Sequence, residues 1–134
     1  MTVIRIIIEG NPTAWAAPCV MRRGISYNPK SKEKTSARAQ VLHQYRSEPL
    51  TGPISASIWF LMPIPMSTSK KARESMLEGE IKHTKKPDAD NMIKFALDCV
   101  KGIVIKDDNQ VFTIFAKKMY SEEPKTIIEI QEHR

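Results

Sequence analysis

The residues best suited to chemistry lie between positions 86 and 110. Lys86-Pro87-Asp88-Ala89-Asp90-Asn91-Met92-Ile93-Lys94 places two carboxylates one residue apart, just ahead of an apolar-periodic segment. Asp107 and Asp108 add two more further along. Asp90 or Asn91 reads as the cap of a helix over 91–101, and Lys94, four residues after Asp90, can lean back over the same helix end. Eleven helical residues carry the chain about 16 Å. Gly102 then reverses it, and an extended 103–108 segment would bring it back by about 16 Å. The spacing therefore predicts that Asp88, Asp90, Asp107 and Asp108 gather at one helix N-terminus. Like charges about 4 Å apart repel by up to about 4 kcal/mol at an effective dielectric of 20. A hard divalent cation such as Mg²⁺, held by a few carboxylates with water and phosphate oxygens, relieves that repulsion. Taken singly, each piece has an ordinary explanation: Asp90 as a helix cap, and Asp107-Asp108-Asn109 as a strand-end turn.

The surroundings carry the opposite charge. The chain has 134 residues, with 21 Lys and Arg against 15 Asp and Glu, a net +6. Without the four aspartates the remainder is +10. A positive body around a small negative pocket suits the task of holding a nucleic-acid backbone and placing a metal on one phosphate. Arg22, Arg23, Lys70, Lys71, Arg73, Lys82, Lys85, Lys86, Lys117 and Lys118 are the candidate phosphate contacts.

The elements that must position these groups form a mixed pattern. Thr2–Glu9 reads as a strand, 11–29 as a long loop or poor hairpin, and Asn28-Pro29 as the start of a helix reaching about Arg46. Ile54–Met62 alternates as a second strand, and Ser67–Glu80 holds a short helix capped by Thr68 or Ser69. Ile103–Ile105 begins another strand. Val111–Met119 and Thr126–Gln131 read as a closing hairpin across Ser121–Pro124. The absence of a strict βαβ rhythm predicts an α+β fold, one mixed sheet with helices packed on it in two layers, as a single domain over 1–134.

Asp88-x-Asp90-Asn91-x-x-Lys94, then Asp98, then Asp107-Asp108-x-Gln110-Val111, resembles the RusA family of Holliday-junction resolvases. Lys117-x-x-Tyr120 and the Ile127–Ile130 strand are similar to that family's C-terminal hairpin. The likeness is close from Pro87 to Ile130 and looser before it, and the Ser67–Glu80 insertion is longer than in the shortest members. The resemblance implies a homodimeric, Mg²⁺-dependent endonuclease that cuts four-way DNA junctions symmetrically in recombination and repair, with Mn²⁺ as a possible substitute metal. It further implies Asp88, Asp90 and Asp108 as catalytic metal ligands and Lys94 as the essential lysine. Asn91 and Asp107 are implied in support, and the family is commonly carried by prophages. A dimer fits a junction's two symmetry-related scissile bonds.

The alternative is a non-catalytic basic nucleic-acid-binding protein, which would not need the three aspartates together. A phosphatase built on D-x-D would follow an apolar strand, whereas Lys82–Pro87 is basic and polar. Two cysteines, Cys19 and Cys99, cannot frame a disulfide fold or a four-thiolate zinc site. His43, His83 and His133 lack metal-ligand spacing. Trp15 reads as a local core anchor before a stacking residue. No glycine-rich phosphate loop implies a nucleotide cofactor. No apolar run nears the roughly 20 residues of a membrane span, and no signal-peptide pattern is present, so an intracellular, cytoplasmic protein is expected.

Overall fold

The structure is a computed structural model and describes residues 3–134. Thr2, the predicted start of the first strand, lies outside the described residues. In chain order the elements are β1 (Val3–Glu9), β2 (Cys19–Val20), β3 (Ser26–Tyr27), α1 (Ser31–Gln44) and β4 (Ile54–Pro63). There follow α2 (Lys70–Leu77), α3 (Ala89–Val100), a 3₁₀ turn (Asp108–Gln110), β5 (Val111–Ser121) and β6 (Lys125–Glu132). A four-stranded mixed sheet in the order β1-β6-β4-β5 carries the fold, with β2 and β3 as a separate small hairpin. This is the α+β architecture that the sequence pattern predicts.

The core follows from alternation. Along β4 every even residue from Ile54 to Met62 is buried and every odd one half-buried, the signature of a strand with one covered face. Ile6 and Ile8 of β1 and Ile128 and Ile130 of β6 continue that face. Ala37 and Val41 of α1 and Met92, Phe95, Ala96, Cys99 and Val100 of α3 close over it in one hydrophobic cluster. The Arg38 guanidinium of α1 donates to the Asp98 and Lys101 carbonyls, both at 2.7 Å. It thereby satisfies carbonyls at the negative end of α3 and ties the two helices together.

Two expectations are corrected. β5 and β6 are not a hairpin: β4 lies between them, parallel to β5 and antiparallel to β6. The 121–125 connection crosses the end of β4, where Pro63 stands opposite Ser121. Ile103–Ile105 is not a returning strand either. All three residues are buried, whereas a half-covered strand would alternate. Gly102, at φ 80°, starts a compact turn whose amide donates to the Ile105 carbonyl at 2.7 Å. Backbone bonds from Leu50 to Val104 (2.8 Å) and from Lys106 to Leu50 (3.1 Å) pin the turn beside the 50–53 segment. The chain therefore stays at the C-terminal end of α3.

Candidate active site

Asp88 is the N-cap residue of α3, two positions before the nearer of the two expected caps, so Asp90 falls in the first helical turn. The Asp88 side chain makes no capping hydrogen bond, which leaves its carboxylate facing solvent with Lys86 Nζ 3.6 Å away. The positive end of the helix macrodipole favours both anions. Three contacts fix the approach to this end. Lys118 Nζ, reaching from β5, donates to the Lys85 carbonyl at 2.8 Å and the Pro87 carbonyl at 3.0 Å. The Trp15 amide donates to the Asn91 carbonyl at 2.8 Å. Lys94 Nζ sits 3.5 Å from the centre of the Trp15 ring, a cation–π contact. Lys94 is thus positioned by the 11–18 loop rather than by Asp90. Trp15 packs against the core as expected, and it also seats the lysine, a role that nothing in the sequence pattern signals.

Asp107 and Asp108 lie at the other end of the same helix. Asp107 Oδ1 is 3.5 Å from Lys101 Nζ, at the C-cap of α3. Asp107 also caps the 3₁₀ turn, accepting from the Asn109 amide at 3.4 Å, so its role is structural. Gln110 completes the capping box: its Oε1 accepts from the Asp107 amide at 2.7 Å. Its Nε2 donates to the Leu50 and Gly52 carbonyls, both at 2.9 Å. The side-chain hydrogen bond between the two carboxyls, with the Asn109 amide and Lys101 adding to it, holds Asp107 below the usual carboxylate range. The same hydrogen bond, with a small loss of solvation at this exposed residue, pushes Asp108 up.

The four aspartates are therefore split two and two by the twelve residues of α3, about 18 Å of helix. Among the described residues no group of three or more His, Cys, Asp or Glu side chains converges as a cation site. The two exposed carboxylates at the Asp88 end have free oxygens for a hard ion, but the full set of Asp88, Asp90 and Asp108 does not close within one chain. The expected convergence fails because residues 103–105 turn instead of returning.

The basic residues border the Asp88 end in part. Lys85, Lys86 and His83 line a pocket of about 330 Å³ with Asn11, Pro12 and Tyr120. Exposed Lys117 stands on β5 nearby, and Lys70 and Lys71 open α2 behind the Ser69 cap. Arg22 and Arg23 are exposed in the turn between β2 and β3. Four of the candidate phosphate contacts are engaged within the protein, Lys86 through its ion pair with Asp88. Lys118 holds the loop carbonyls, Arg73 pairs with Glu122 at 3.5 Å, and Lys82 donates to the Gly79 carbonyl.

A mixed sheet covered by helices, paired aspartates at an exposed helix N-terminus and a lysine-rich rim define a basic α+β protein. The family model for endodeoxyribonuclease RusA matches residues 9–131. The Bacillus subtilis uncharacterized protein YqaN is 34% identical over 143 residues, covering 98% of each chain. The chain belongs to the RusA endodeoxyribonuclease family. No helix among the described residues is long and apolar enough to cross a membrane.

Proposed function

We propose that this protein is a Mg²⁺-dependent endodeoxyribonuclease that resolves four-way DNA junctions by paired symmetrical nicks, acting as an intracellular homodimer in recombination and repair. The observation that carries the reading is the family match across 9–131 together with intact Asp88, Asp90, Lys94 and Asp108. The exposure of the Asp88–Asp90 pair at the positive end of α3 supports it. A bound divalent ion would supply a more acidic water and neutralise charge developing on the phosphate. Mn²⁺ is expected to substitute.

The chain's own groups have distinct tasks in this reading. Lys85, Lys86 and Lys117 hold the DNA backbone beside the carboxylates. Lys94, fixed over Trp15, presents its remaining donors to a phosphate oxygen. Lys118 keeps the 85–88 segment in place, so it positions Asp88. Arg22 and Arg23 reach DNA from the hairpin turn, and Lys70 and Lys71 from the start of α2. The test is a synthetic mobile junction incubated with the wild-type protein and with Asp90→Asn, with Mg²⁺ or with chelator. The wild type nicks only with Mg²⁺, and Asp90→Asn binds without nicking. Binding without nicking by the wild type would leave the non-catalytic alternative in its place.

A further inference from the structure

The pocket of about 330 Å³ beside Asp88 carries groups that the carboxylate chemistry does not use. Its walls come from the 11–12 turn after β1, the 62–65 end of β4, the 83–87 approach to α3, and Tyr120 of β5. Four of the lining residues are prolines: Pro12, Pro63, Pro65 and Pro87. Proline rings have little conformational freedom to lose, so walls built from them stay in place when a ligand enters. Tyr120 and His83 add aromatic faces, with ring centres 4.9 Å apart and planes inclined at 55°. Lys118 fixes one wall from behind, through its bonds to the Lys85 and Pro87 carbonyls at 2.8 and 3.0 Å.

The neutral polar groups on these walls have no partners in the protein. The side-chain amide of exposed Asn11 and the Tyr120 hydroxyl make no hydrogen bond among the described residues, and neither is sealed from solvent. His83 Nδ1 is sealed and unpartnered, which leaves Nε2 as the ring nitrogen open to a ligand. The amide and the hydroxyl can each both donate and accept.

We infer that this pocket holds one unstacked nucleobase of the DNA strand, the base flanking the phosphate to be cut, and that Asn11, Tyr120 and His83 read its edge. The place of the strand rests on the nuclease reading above; the fit to a base rests on the pocket itself. A base is flat, apolar on its faces and lined with donors and acceptors along its edge. Rigid apolar walls suit the faces, and the unpartnered neutral groups suit the edge. A phosphate alone would leave the proline and tyrosine surface uncovered. A purely apolar ligand would take water from Asn11 and Tyr120 and return no hydrogen bond. Position selects a strand as the source of the base. Pro87 lines the pocket, Asp88 follows it, and Lys86 Nζ lies 3.6 Å from the Asp88 carboxylate. Exposed Lys85 and Lys86 on the rim can hold the backbone of the nucleotide whose base is inside. Entry requires a base that has left its stack, and that costs least where pairing or stacking is already broken, as at a branch point.

The test is photo-cross-linking, which needs no cleavage. 5-Iodouracil and 8-bromoadenine replace single bases in turn through the centre of a synthetic four-way junction, and each junction is irradiated with the wild-type protein in chelator. A cross-link at one position or its symmetry mate is expected, on a peptide containing His83 or Tyr120, and excess deoxynucleoside monophosphate should leave it in place. Cross-links to neither peptide at any position overturn the pocket. Displacement by the monophosphate overturns the strand as the source of the base. Junctions carrying each of the four bases at that position then compete in a gel shift. One good pair of hydrogen bonds to a base edge gives about 5-fold discrimination or more, so the best and worst bases should differ by at least that in wild-type affinity. The ratio should narrow in Asn11→Ala and in Tyr120→Phe. Asn11 is exposed and Tyr120→Phe removes a single oxygen, so both variants keep the fold. Equal wild-type affinities for the four bases, or an unchanged ratio in both variants, overturn the edge contacts. A wild type that cross-links as expected yet never nicks with Mg²⁺ overturns the nuclease reading alone.

Discussion

Gln110→Ala should be costly for a side chain that no one would place in the core. Its amide makes three hydrogen bonds, of 2.7, 2.9 and 2.9 Å, that join the Asp107 amide to the Leu50 and Gly52 carbonyls. At about 1 kcal/mol net for each bond, with the orphaned backbone groups only partly reached by water, the variant loses about 2–3 kcal/mol of stability. Gln110→Met keeps most of the volume and loses every bond, so it should lose a similar amount, which separates hydrogen bonding from packing. Urea denaturation at fixed protein concentration measures both, with the midpoint falling and the slope unchanged. Because Asp108 opens the 3₁₀ turn that Gln110 closes, both variants should also nick junctions more slowly when still folded. Midpoints within about 0.5 kcal/mol of the wild type for both variants would refute the assignment of Gln110 as the clamp on this turn.

Other consequences are equally concrete. Asp90→Asn should lower junction nicking by more than about 100-fold, roughly 2.7 kcal/mol of barrier, with junction affinity retained in a gel-shift assay. Trp15→Leu removes the ring under Lys94 and should lower nicking while weakening DNA binding little; unchanged nicking would show that the ring does not position the lysine. Junction affinity should fall steeply with salt on a log–log plot, and Lys85→Ala with Lys86→Ala should flatten that slope. Burial pushes the Cys99 thiol up to about 12, whereas Cys19 is exposed. Iodoacetamide at pH 8 should therefore modify Cys19 in the native protein and reach Cys99 only after denaturation, as read by mass spectrometry. Burial first, and then the Lys118 charge, lower His83 below 6.5, so folding favours its neutral form. Stability from this group is complete above pH 6.5 and is lost as the pH falls through 6.5 toward the folded value. His83→Phe should flatten that part of the melting-temperature profile.

The strands that alternate were legible in the sequence because one covered face imposes a period of two, as along Ile54–Met62. The α3 stripe from Met92 to Val100 was legible for the corresponding helical reason. Strand partners were not. Ser121–Pro124 looks like a hairpin turn, yet β4 takes the place between β5 and β6, a choice made by long-range burial that no local residue encodes. The Ile103–Val104–Ile105 run has strand propensity, but its three amides turn back to the Val100 carbonyl, and its Val104 carbonyl accepts from Leu50, a partner remote in sequence. At the site, the types and spacing of Asp88, Asp90 and Lys94 marked one end of α3. The arithmetic that returned Asp108 to them failed because it assumed an extended segment where the chain makes a compact turn. The tie that Arg38 makes and the seat that Trp15 gives Lys94 are not legible in the sequence because they depend on what these side chains meet across the fold: the carbonyls of α3 for one and the Lys94 ammonium for the other.

The most direct test of the nuclease reading is a four-way junction labelled in turn on each of its four strands, incubated with the wild-type protein and Mg²⁺ and mapped at nucleotide resolution. The account predicts nicks at matching positions in two opposed strands, absent with chelator and absent on the linear duplex arms alone. Intact strands throughout, or cuts distributed equally on linear duplex, would contradict it.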